Sequence, residues 1–110
     1  MEIISAEPVK ANVMLADWPF DQAPDIAAVT TRQVLEQRLP ILCVTHYSDD
    51  HSWGFVCGTT NVTGDGRVIA MSEALEIDPT LREIADLPPG WRAHRDKVGG
   101  TWQRIHDEMA

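Results

Sequence analysis

Trp53-Gly54-Phe55-Val56-Cys57-Gly58 reads as a β-strand running into a glycine turn, because aromatic and β-branched residues suit a pleated, half-buried surface. The run before it, Ile41-Leu42-Cys43-Val44-Thr45-His46-Tyr47, has the same character and follows Pro40 without an internal Gly or Pro. Ser48-Asp49-Asp50-His51-Ser52 is a polar break between them, so the two runs are expected to form an antiparallel hairpin. Pairing centred on Asp50 sets Tyr47 against Trp53, Thr45 against Phe55 and Cys43 against Cys57. Strand alternation then gives one face Ile41, Cys43, Thr45, Tyr47, Trp53, Phe55 and Cys57, and the other Leu42, Val44, His46, Gly54 and Val56. Both faces are mainly apolar, which makes the hairpin a central element covered at least in part on each side. Gly54 marks either a bulge or a close approach by another element.

Upstream, Asp25 can cap a helix starting at Ile26, with Thr30 or Thr31 as caps for a later start. Arg32 to Leu39 holds good helix formers, with Val34, Leu35 and Leu39 turned inward and Arg32, Gln33, Glu36 and Gln37 facing water. Pro40 stops this helix. Pro19 to Asp25 is a loop, since its two prolines fix φ and remove donors. Trp18 and Phe20 are either lids on the core or an exposed aromatic contact, and the usual burial of aromatic area favours lids. Further back, Ile3 and Ile4 suit an edge strand that ends by Pro8, and Ala11 to Trp18 a second short run against the sheet.

Downstream, Thr59 to Gly66 is a polar loop, Asp65-Gly66 a hairpin-turn signal and Arg67 to Met71 the next strand. Ser72 caps a short helix through Ile77, and Asp78-Pro79 starts another. Leu81, Ile84, Ala85 and Leu87 face the core there, with Arg82, Glu83 and Asp86 outside, until Pro88-Pro89-Gly90 ends the segment. Trp91 to Arg95 reads as a strand with Trp91, Ala93 and Arg95 on one face. Asp96 to Gly100 turns the chain, Thr101 to Ile105 pairs back onto that strand, and a loose tail follows from His106. The expectation is a single α+β domain over residues 1–110, an antiparallel or mixed sheet of roughly four to six strands with two or three short helices.

Composition narrows the function classes. The 110 residues are 44% hydrophobic and 24% charged, the profile of a soluble globular domain. No apolar run approaches a membrane span, and Met1-Glu2-Ile3-Ile4 lacks the basic and long apolar regions of a secretory signal, so the expected setting is cytoplasmic. A net charge of -8 argues against a nucleic-acid surface; Arg92, Arg95 and Lys97 are the densest basic group. The same field favours a basic partner or simply solubility. Cys43 and Cys57 are near enough for a bridge in the expected register, although a cytosolic setting favours buried thiols.

No catalytic signature stands out. His46, Asp49, Asp50 and His51 lack metal-site spacing, and no cofactor is implied. Cys57 with His46 is the best nucleophile–base pair, but the expected register puts the two on different faces, and a core cysteine before a turn explains Cys57 better. Asp49 and Asp50 are adjacent and splay apart in an extended chain. Tyr47, Asp49, Asp50, His51 and Trp53 combine acids with large aromatics around one turn, a pattern suited to binding a basic protein; the plainer reading is solvated turn acids with Trp53 in the core. Trp91, Arg95 and Trp102 form a second candidate contact patch, in which Arg95 can instead pack on an indole.

Asp50-His51-Ser52-Trp53-Gly54-Phe55-Val56-Cys57-Gly58, a Gly/Asp-rich insert, Leu75-Glu76-Ile77-Asp78-Pro79 and Leu87-Pro88-Pro89-Gly90 together form a further pattern. It resembles a small bacterial family of immunity-protein-like domains of unknown function. There an Asp-Ser-Gly-Trp type segment leads into an aromatic strand and a glycine turn. A short helix, an Asp-Pro start and a Pro-Gly stop precede a closing strand with an arginine, matched by Arg95 and then Trp102. The resemblance covers about residues 46–105 and leaves 1–40 unmatched. It departs at Trp91, where a small residue is more usual, and at Cys57. What it implies is a non-enzymatic protein-binding domain, in a family that includes neutralisers of bacterial toxins, with no catalytic residue to carry over. The alternatives are a small thiol-dependent hydrolase using Cys57 and a structural module, for which a homodimer would be expected.

Overall fold

In this computed structural model, which describes residues 18–58, 64–108 and 110, the chain runs β1 (Ala27–Thr31), α1 (Arg32–Leu35), β2 (Cys43–His46), β3 (Trp53–Val56) and β4 (Gly66–Ala70). It continues through α2 (Met71–Ile77), a 3₁₀ helix (Pro79–Ile84), β5 (Trp91–His94) and β6 (Gln103–His106). The strands form one six-stranded mixed sheet in the order β4-β1-β3-β2-β5-β6, with β1 parallel to β3 and every other pairing antiparallel. The fold is α+β, and the β2–β3 hairpin lies at the centre of the sheet. The strand expectations around Ile3–Ile4 and over Ala11 to Asp17, like residues 59–63 of the polar loop, lie outside the described residues.

The hairpin register differs from expectation by one residue. Cys43 lies opposite Val56, Val44 opposite Phe55, Thr45 opposite Gly54 and His46 opposite Trp53. The closing pair is Tyr47–Ser52, whose Tyr47 N donates to Ser52 O at 2.9 Å, so the turn holds an even number of residues and is not centred on Asp50. His51 allows that closure by taking a left-handed φ of 59°, and Asp50 Oδ1 accepts from Ser52 N at 3.0 Å. A slip of one residue exchanges the faces. Val44, His46, Trp53 and Phe55 therefore share the covered face, in line with Ala28, Thr30 and Ala93 on neighbouring strands. Cys43, Thr45, Tyr47, Gly54 and Val56 share the other. Gly54 is a close approach and not a bulge: a Cβ there would sit 3.2 Å from the Tyr47 hydroxyl.

No helix starts at Ile26; residues 27–31 are a strand instead. Thr30 Oγ1 donates to Phe55 O at 2.6 Å from within the sheet, and pairing with both β3 and β4 outweighs the helix propensity of the two alanines. The later helix does follow Thr31, but it ends at Leu35. Arg38 turns left-handed with φ 57° and Leu39 N returns to Gln33 O at 3.0 Å. Leu35 is consequently exposed and Gln33 buried, both contrary to the helical-wheel expectation. Gln33 is drawn in by Asp65, whose carboxylate accepts from Gln33 Nε2 at 2.7 Å and Arg32 Nε at 2.9 Å. Asp65-Gly66 thus opens β4 against β1 and makes no hairpin between β3 and β4.

The later elements follow their local signals except at the start of α2, where Met71 is already helical, Ala70 takes the N-cap position and Ser72 lies inside the helix instead of capping it. Glu73 Oε1 accepts from Ala70 N at 2.7 Å and starts α2. Asp78 Oδ1 accepts from Thr80 N at 2.9 Å and from Thr80 Oγ1 at 2.6 Å, capping the 3₁₀ helix behind Pro79. Leu81, Ile84 and Leu87 are buried with Met71, Ala74, Phe20, Val34 and Ile41 against the covered sheet face. Trp18 packs partly on this core beside Phe20, so both act as lids. The end of the chain is not loose at His106, because Asp107 N donates to Gly90 O at 2.8 Å and Asp107 pairs with Arg92 at 3.3 Å. Among the described residues no helix is long and apolar enough to cross a membrane.

Candidate functional site

The β2–β3 turn projects Asp49, Asp50 and His51 into solvent. Hydrogen bonds from the Ser52 hydroxyl and amide hold the Asp50 carboxyl below the usual carboxylate range, so it is anionic at neutral pH. Tyr47 is half-buried behind the acids, its ring laid over Gly54. Burial pushes its phenol above the ordinary value, with Cys43, Asp50 and Asp49 adding to the shift.

Trp53, grouped with these residues by sequence, is 0% exposed and offers a partner nothing. Its ring stacks on His46 at 4.0 Å and meets the edge of Phe20 at 4.9 Å. Its indole N–H donates to Asp21 Oδ1 at 2.8 Å. His46 is held by Leu87, to whose O its Nδ1 donates at 2.7 Å, while Nε2 stands 3.1 Å from Asp21 Oδ2 without a hydrogen bond. Residues 18–22 therefore form a strap across the end of the hairpin. Gln22 Nε2 completes it by donating to His51 O at 2.9 Å, which fixes the backbone of the acidic turn.

Beside the turn lies a depression of about 310 Å³, lined by Gln22, Ile26, Val29, Asp50, Ser52 and Val68. Val29 and Val68 are cross-strand partners on the sheet face that, among the described residues, carries no helix; they are 41% and 73% exposed, and Ile26 is exposed beside them. An aliphatic strip left in water next to fixed carboxylates has the make-up of an interface: an apolar centre with a charged rim. Sequence reasoning missed Ile26, Val29 and Val68. The available signal was the alternation of Ala27, Val29 and Thr31 with Ala28 and Thr30, obscured by the capping signal at Asp25.

The second group does not form one patch. Arg95 has a side chain with 0% exposure and pairs with Asp78. It also donates to Ile41 O at 3.0 Å and Thr80 Oγ1 at 2.9 Å, and lies 4.2 Å from the centre of the Trp102 ring. Trp102 and Arg95 are thus brought together as an interior cation–π contact. Trp91 lies four residues from Arg95, about 13 Å along a strand, and its half-buried ring tilts against His106 at 5.5 Å.

Nor does the fold assemble a thiol site. The corrected register returns Cys57 to the face of His46, but opposite residue 42, about 13 Å along the strand from the imidazole. Cys57 is buried, and Cys43 faces the opposite side, so no bridge joins them. Burial raises the Cys43 thiol, and Arg92 opposes that shift. Among the described residues no group of His, Cys, Asp and Glu has the geometry to hold a metal ion.

No family model matches the chain, and comparison with curated proteins and with solved structures finds no match.

Proposed function

We propose that this is a non-enzymatic protein-binding domain that takes a basic protein through the acidic turn Asp49–Asp50 and the adjoining strip Ile26, Val29 and Val68. The observation that carries the reading is their adjacency: exposed aliphatic side chains share one depression with Asp50, on a turn clamped from behind by Gln22. Burial of the strip would supply affinity. The turn and the net charge of -8 would select a basic partner and speed its approach. His51 and the edge of Tyr47 complete the rim. The resemblance to immunity-protein-like domains makes a bacterial toxin the partner to look for first. The cytoplasmic setting belongs to the same proposal and is supported by the unbridged Cys43 and Cys57.

Affinity capture from lysate of the source organism tests this, comparing wild type with Asp49→Lys/Asp50→Lys and with Val68→Asp. A basic protein held by wild type and lost with either variant is the expected result. Equal recovery on all three would refute the assignment of this surface. Concentration-dependent dimerisation abolished by Val68→Asp would assign the surface to a second copy of the chain.

A further inference from the structure

A larger concavity lies away from the acidic turn. An open groove of about 800 Å³ is lined by residues of the 34–41 segment, by the junction of α2 with the 3₁₀ helix and by Val98 of the β5–β6 turn. Its apolar lining includes Leu35, Ile77 and Val98, all exposed in the monomer. Asp78, on its floor, is neutralised by the interior Arg95. The charge on the α2 side is that of Glu76 and of Glu73, whose Oε1 also accepts from Ala70 N, and Arg38 lines the groove as well.

We propose that this groove docks a basic amphipathic helix of a protein partner. One side is the helical junction, where Asp78 N donates to Ala74 O at 3.0 Å; on the other, residues 36–41 are irregular, with Leu39 N donating to Gln33 O at 3.0 Å and Ile41 O accepting from Arg95 at 3.0 Å. Among the described residues no strand edge is offered there, so an extended peptide would enter with its own N–H and C=O groups unmatched. A helix satisfies those groups itself and presents only side chains. Glu73 and Glu76 are three residues apart on α2, hence about 5–6 Å apart on one helix face. Lys or Arg residues at the same spacing on the incoming helix would meet them while its aliphatic stripe covers Leu35, Ile77 and Val98. The net charge of -8 selects a basic helix over an acidic one. This site stands without the sheet-face reading, because it uses none of the same residues.

A panel of 14-residue helical peptides, with Leu at i, i+4 and i+7 and Lys along one flank, provides the probe, read by fluorescence polarisation and by amide shifts of the full-length protein. Saturable binding with Kd on the order of 10–100 µM is expected, with shifts at residues 34–41, 73–80 and 98. Ile77→Asp or Val98→Asp should weaken it at least tenfold, and Glu76→Lys several-fold. Glu73 is left alone because it holds the start of α2. Replacing the peptide's Lys by Glu should also weaken binding tenfold. Equal binding of scrambled peptides, no saturable binding by any panel member, or shifts confined to Asp49–Ser52 and Val68 would overturn the assignment. So would self-association abolished by Ile77→Asp, which assigns the groove to a second copy, or NMR contacts between residues 1–17 and the groove in the free protein.

Discussion

Replacing Arg95 by Met tests whether the β5 end is an interior clamp or a contact surface. The guanidinium pairs with Asp78, donates to Ile41 O and Thr80 Oγ1, and lies under Trp102, with no side-chain exposure. Its removal leaves the Asp78 carboxylate, only 9% exposed, without a counter-charge, and leaves Ile41 O without this donor. Breaking a buried pair from one side costs about 3–5 kcal/mol. For a domain of this length that is a Tm drop of about 12–20 °C. Arg95→Met/Asp78→Asn keeps a side-chain oxygen for the Thr80 amide but leaves no bare charge. It should therefore be more stable than Arg95→Met alone by about 2 kcal/mol. Urea unfolding of wild type, both single variants and the double variant gives the cycle. A single-variant cost below about 1 kcal/mol, or a double variant as costly as the two singles summed, would refute the clamp.

Two further perturbations follow from the strand packing. Hydrogen bonds from Gln33 and Arg32 hold the Asp65 carboxyl below the usual range, so its stabilisation is full above the unfolded value of about 3.9 and is lost as pH falls through the lower folded value. Asp65→Asn should thus be less stable than wild type at pH 7, with the gap closing on acidification in urea titrations; a gap that widens in acid would contradict the assignment. Tyr47 is the one tyrosine in the chain, so phenolate absorbance reports it alone. Wild type should titrate above the ordinary phenol value, and Gly54→Ala, whose Cβ displaces the ring, should bring it down. An unchanged titration would mean that the ring is not held over Gly54.

What could be read from the sequence was what its local chemistry dictates. Asp78-Pro79 caps and starts the 3₁₀ helix within a few residues, and Pro88-Pro89-Gly90 stops the segment before β5. The centrality of β2 and β3 followed from apolar residues at both parities. The register was not legible, because it depends on the left-handed conformation of His51, which neighbouring residues do not announce. β1 was hidden by Asp25 and the two alanines, and is a strand only because β3 and β4 flank it. At the site, the exposed acids were legible as turn residues. Trp53 in the core and Arg95 against an indole were the plainer readings and both hold, but their polar partners Asp21 and Asp78 lie far away along the chain and were not legible. The exposure of Val68 depends equally on where the helices pack, which is on the opposite face of the sheet.

A photo-crosslinking residue at position 68, compared with one at exposed Glu83 on the helical side, locates the partner most directly. Irradiation in lysate should join a basic protein to position 68, with the adduct lost in the Asp49→Lys/Asp50→Lys background, and give none from position 83. Equal adducts from both positions, or a position-68 adduct indifferent to the charge reversal, would contradict the binding face proposed for this domain.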